Sequence, residues 1–115
     1  MNELDRKKIM ELVDGDEGLL AELAILFFAQ SEKWMKEIEE AVAHQNANAL
    51  ARAAHSLKGA AGNFSTGSIY DILVELEELA QGAEMDPAKQ KLPSLSLQIR
   101  RLNADLEPYR KRGEI

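Results

Sequence analysis

The sequence predicts an all-α protein, an antiparallel up-down four-helix bundle with a short N-terminal capping helix. Three observations carry this. Apolar residues recur at steps of three and four along nearly the whole chain of 115 residues, the period of helices that bury one face. No run of four or more residues shows the alternation of a half-buried strand. The breaks between periodic stretches are a few residues long, and such short connections force neighbouring helices to lie antiparallel. The length suits a single domain over residues 1–115 with one modest core, and no repeat or linker interrupts it.

The first helix is expected at about residues 3–13 and is closed by Asp14, Gly15 and Asp16, the last of which can cap the next helix. That second helix runs to about residue 44, with Leu20, Leu23, Phe27, Trp34, Ile38 and Ala41 as its inward stripe. Asn46 is a good N-cap for the third, at about residues 46–62, whose stripe is Leu50, Ala54, Leu57 and Ala61. Gly62 and Asn63 both tolerate the left-handed conformation that ends helices. A fourth helix over about residues 66–81 turns Ile69, Ile72, Leu73, Leu76 and Leu79 inward and stops near Gly82. The fifth, at about residues 87–112, uses Leu92, Leu95, Ile99, Leu102 and Leu106. Pro93 is best placed in the first turn of its regular part.

Composition narrows the function. The net charge is -6, so a nucleic-acid backbone or an anionic membrane would be repelled, and neither is expected as a partner. The basic cluster at residues 109–112, YRKR, reads as a solvated helix end whose cations complement the macrodipole. There is no cysteine, which removes disulfides, thiolate catalysis and cysteine metal sites and fits a cytoplasmic protein. The apolar run at residues 19–29 is too short for a bilayer and contains Glu22, and the polar start gives no signal-peptide pattern.

The stretch at residues 55–63, HSLKGAAGN, sets a histidine among small residues. His55 lies about 100° around the third helix from the core residue Ala54 and is therefore expected in solvent. An exposed imidazole can take a phosphoryl group, act as a base or ligate a metal. A metal site calls for further ligands at i+3 or i+4, where this chain has Lys58 and Gly59, so no metal is expected. A hydrolytic triad calls for an orienting carboxylate and an oxyanion hole in a pocket, which a convex bundle face does not offer. Phosphoryl transfer fits better, because an ammonium one turn away can stabilise charge on the equatorial oxygens. Gly59 and Ala51 then provide clearance for a partner's active site to reach His55. No glycine-rich nucleotide loop is present, so the phosphate comes from a protein.

At these residues the chain resembles the histidine-containing phosphotransfer (HPt) family. The resemblance rests on AAHSLKG at residues 53–59, with Leu50 before it and Asn63, Leu76 and Glu77 after it at the family's usual offsets. Leu23 and Phe27 match apolar positions on the second helix, so the similarity covers roughly residues 16–79. It implies that His55 accepts and donates phosphate, that Lys58 steadies the phosphoryl oxygens and that Gly59 grants access. It also implies a phosphorelay intermediate working with receiver domains of response regulators or hybrid histidine kinases. Their aspartyl phosphate and bound Mg2+ supply what this chain lacks; no cofactor of its own is expected. Many members have glycine three residues after Gly62, where this chain has Ser65, and Gly67 is placed to serve the turn instead.

Two other readings compete, a catalytically silent helical adaptor and the phosphoacceptor portion of a chemotaxis-type histidine kinase. The dimerisation domain of ordinary sensor kinases fits less well, since Ser56 and Leu57 do not match its acidic residue after the histidine. His44, Trp34, Phe27 and the acidic runs at residues 37–40 and 75–78 read as a helix end, core and solvated faces respectively. The expected monomer would meet its receiver on Phe28, Glu32 and Met35, taken as level with His55 on the antiparallel second helix, together with Ala51 and Gly62.

Overall fold

The computed structural model describes residues 6–64 and 67–113, which form five helices: α1 (Arg6–Val13), α2 (Glu17–Ala43), α3 (Ala47–Ala61), α4 (Ser68–Gln81) and α5 (Met85–Gly113). Side-chain caps open α2 and α3, and left-handed residues follow α1, α2 and α4. Asp16 Oδ1 accepts from the Leu19 amide at 3.1 Å, and Asn46 Oδ1 from the Ala49 amide at 3.0 Å, each satisfying an amide that α2 or α3 leaves free. Asp14, Gln45 and Ala83 take positive φ of 52°, 53° and 54°. α4 stops at Gly82 as expected, and Ala83 reverses the chain, held by Ala83 N–H to Ala80 O and Glu84 N–H to Leu79 O. Gly62 departs from expectation. It is right-handed, with φ -59° and ψ -22°, because its amide still donates to Lys58 O and continues the α3 spiral. Residues 3–5 of the expected first helix and the Ser65 position lie outside the described residues.

The helices close into an antiparallel four-helix bundle, α2 against α3 and α5, and α4 against α3 and α5, with α1 laid on α2 as a cap through buried Ile9 and Val13. The antiparallel sense of α2 and α5 is visible in their pairs. Ser31 meets Asn103 and Phe28 meets Arg110, so numbers rise on one helix as they fall on the other. α3 buries Leu50, Ala53, Ala54, Leu57 and Ala61, and its three alanines let both neighbours approach closely. Beyond α3, Phe64 is 2% exposed and packs on Phe27 with ring centroids 5.3 Å apart, a contact not anticipated from the sequence.

α2 and α5 differ from the expected pattern. α2 buries Leu20, Ala21, Ala24, Phe27, Ser31, Met35, Ile38, Ala41 and Val42, whereas Leu23 and Trp34 of the expected stripe are only half-buried. Ser31 conceals this buried face in the sequence, since a serine does not read as core. It is 1% exposed because its hydroxyl donates to Phe28 O and accepts from Asn103 Nδ2, both at 3.0 Å. α5 does not begin at Pro93 but runs through Pro93 and Pro108. Both prolines are exposed, so the carbonyls of Lys89 and Ala104 that lose a partner can bond to water, while Ala88, Leu95, Ile99 and Leu106 hold the helix to the core. Among the described residues no helix is long and apolar enough to cross a membrane.

The Ser31–Asn103 bond ties α2 to α5 across the core. Ser31→Ala is expected to lower stability by about 1 kcal/mol in urea denaturation. In that background Asn103→Ala should cost less than it does alone, because the two groups satisfy each other.

Candidate functional site

α3 cannot rotate without exposing Ala54 and Leu57, both 0% exposed, and this fixes the direction of everything else it carries. His55, one step from Ala54, has a side chain 74% exposed, as expected from its place on the helix. Lys58, one turn on, leans toward α4 and is only 19% exposed. Between them stands Glu77 of α4, also 19% exposed. Its Oε1 lies 3.1 Å from His55 Nδ1 and its Oε2 lies 3.1 Å from Lys58 Nζ.

This bridge has a chemical consequence. A carboxylate only accepts hydrogen bonds, so Nδ1 carries the proton and donates it, and Nε2 of the neutral ring keeps its lone pair. Which ring nitrogen carries the lone pair is thus specified by a residue on another helix. The Lys58 ammonium also lies 5.7 Å from the centre of the Tyr70 ring, within cation–π range.

Access to His55 is open. A Cβ built on Gly59 would meet nothing within 4 Å, so no intramolecular packing requires glycine there. Gly62 differs, since a Cβ there would approach Lys58 O to 3.1 Å. A groove of about 960 Å³ runs beside His55, lined by Trp34, Glu37 and Ala41 of α2, Ala51 and Arg52 of α3, and Glu77. His44, at the C-cap of α2, lines its far end.

Phe28, Glu32 and Met35 are not in this groove. They line a second one of about 390 Å³ between α2 and α5, with Ile99 and Arg110. Met35 is 9% exposed, and Phe28 is half-buried under the Arg110 guanidinium, 4.1 Å from the ring centre. Counting residues from the α2–α3 turn gives height along the helices but not direction around them. One residue is about 100° of rotation, which puts Trp34, and not Met35, on the His55 side.

Glu77 is the residue that reading the acidic run as a solvated face missed. Within that run Glu75 pairs with Lys91, Glu77 turns to α3 and Glu78 is exposed. A signal was present: Leu73, Leu76 and Ala80 define the core face of α4, and Glu77 flanks that face beside Leu76. Among the described residues no group of three or more His, Asp or Glu could hold a metal ion.

In comparisons with known proteins, the family model described as Hpt domain matches residues 22–107, about three quarters of the chain. That span includes His55, Lys58, Gly59, Tyr70 and Glu77. No curated protein and no solved structure gives a significant match.

Two measurements test this geometry. Long-range ¹H–¹⁵N spectra are expected to show His55 in its Nδ1–H form whenever the ring is neutral, and Glu77→Ala should abolish that preference. Gly59→Ala is expected to raise stability by up to about 1 kcal/mol in thermal unfolding, since helix propensity improves and nothing is displaced.

Proposed function

The chain belongs to the Hpt domain family, and from that premise we propose that it carries phosphoryl groups between receiver domains in a phosphorelay, with His55 as the phosphoacceptor. The observation that supports this reading best is the Glu77 bridge, which commits Nδ1 to a carboxylate and leaves Nε2 as the nucleophile on an exposed ring.

The Nε2 lone pair attacks the phosphorus of a receiver's aspartyl phosphate. The P–N bond forms as the P–O bond to the aspartate breaks, and the aspartate leaves as a carboxylate with the electron pair. The ring acquires positive charge, which Glu77 offsets through its bond to Nδ1–H. Lys58 stands one helical turn away, where its ammonium can bond the phosphoryl oxygens. In the return step a receiver aspartate attacks phosphorus, the P–N bond breaks and its electrons return to Nε2. Such chemistry needs no nucleotide site here, and the metal that receivers use belongs to the partner.

The receiver would approach over the open space at Gly59 and rest on the groove beside His55, with Trp34 as its largest apolar contact and Ala41 and Ala51 beneath. Docking expels water from around Lys58 and strengthens its attraction for phosphoryl oxygens.

His55→Gln is expected to abolish acid-labile, base-stable label from a phosphorylated receiver while leaving helical circular dichroism unchanged. Label retained in that variant would move the site elsewhere, and no label on the wild-type chain from any receiver would favour a silent adaptor. Lys58→Ala should slow transfer by roughly 10-fold. Trp34→Ala should weaken receiver binding by about 1 kcal/mol or more in calorimetric titration. Glu32→Ala, in the groove between α2 and α5, should leave it unchanged.

A further inference from the structure

Lys58 is approached by α4 at two points. Glu77 binds its ammonium at 3.1 Å, and the Tyr70 ring centre lies 5.7 Å from the same nitrogen. Tyr70 and Glu77 are seven residues apart, about two turns, and so lie on one face of α4. Burial does not account for the ring, since Tyr70 is 40% exposed while the aromatic rings of Phe27 and Phe64 are in the core.

The two contacts differ in what they allow. A phosphoryl group on His55 would bring negative charge beside the Glu77 carboxylate, which is 3.1 Å from the same imidazole. Lys58 is the cation that can relieve this repulsion, but it has only three N–H donors, and Glu77 and the phosphoryl oxygens compete for them. An aromatic face attracts an ammonium without claiming a directed hydrogen bond and without adding negative charge. A cation held over it can exchange one acceptor for another and remain in place.

We propose that Tyr70 is a positioning residue for phosphoryl transfer: its ring keeps the Lys58 ammonium beside His55 while that ammonium passes from Glu77 to the phosphoryl oxygens. This rests on the reading of His55 as phosphoacceptor, and the residue acts through Lys58 without touching the reacting atoms.

The placement is tested without any phosphate. The Lys58 ε-methylene protons should show an upfield ring-current shift that Tyr70→Phe keeps and Tyr70→Leu removes; a shift indifferent to Tyr70→Leu overturns the proposal. For the function, Tyr70→Leu should slow transfer from phosphorylated His55 to a receiver by about two- to five-fold, with Tyr70→Phe close to wild type. In a Lys58→Met background Tyr70→Leu should then have no further effect. A loss that persists there would mean that the ring acts on the receiver directly, and would overturn the proposal. Failure of phosphorylated receivers to label wild-type His55 would strike the phosphocarrier reading itself and the role of Tyr70 with it, a result that the shift measurement separates from a misplaced ring.

Discussion

The burial of the alanine-rich face of α3 between α2 and α4 is the constraint on which the rest of the site depends. Ala53, Ala54, Leu57 and Ala61 are each 1% exposed or less, and rotating α3 by one residue would exchange that face for His55 and Lys58. Exposing Leu57 alone costs about 1.5–3 kcal/mol, so the helix has one orientation. From that orientation follow a mostly exposed imidazole, a lysine leaning toward α4 and a glycine opening on empty space. The small side chains also determine how near α4 comes. A bulkier α3 would push α4 outward and carry Glu77 out of reach of Nδ1.

The trio of His55, Glu77 and Lys58 is better understood as chemical arrangement than as stabilisation. Ion pairs with access to water contribute about 0–1 kcal/mol, and the imidazole of this trio is mostly exposed. Its value lies in direction: one carboxylate orients a ring and restrains a cation at the same time. Under the proposed role the arrangement also contains a conflict, since the carboxylate bonded to Nδ1 would repel a phosphoryl group placed on Nε2. In that proposal the Lys58 ammonium beside both resolves the conflict, and the Tyr70 ring 5.7 Å away would hold it as it changes acceptor.

The two grooves flanking α2 show how a single phase error relocates a surface. Ser31 and Asn103 seal α2 to α5 with a hydrogen bond where the pattern of apolar residues would call for another aliphatic contact. With Ser31 counted as core, Met35 turns inward and Trp34 faces the His55 groove. With it counted as surface, Trp34 is drawn into the core and Phe28 and Met35 are read onto the His55 side, whereas both line the groove between α2 and α5.

The helical class, the bundle, the capping roles of Asp16 and Asn46 and the exposure of His55 are legible in the amino-acid order, because all of these follow from local chemistry and a 3.6-residue period. The motif at residues 53–59 also carried the family. Folding of the bundle is what joins Glu77 to His55 and Lys58, sets the Lys58 ammonium near the Tyr70 ring, puts Trp34 and not Met35 in the groove with His55, and carries α5 through Pro93. The physical reason is common to these. Periodicity gives the axial position of a side chain and which face is apolar, but a polar contact between helices depends on their rotation and separation to within about an ångström. Those are set by the packing of residues such as Ala54, Leu57 and the hydrogen-bonded Ser31, and packing is a property of the folded bundle as a whole.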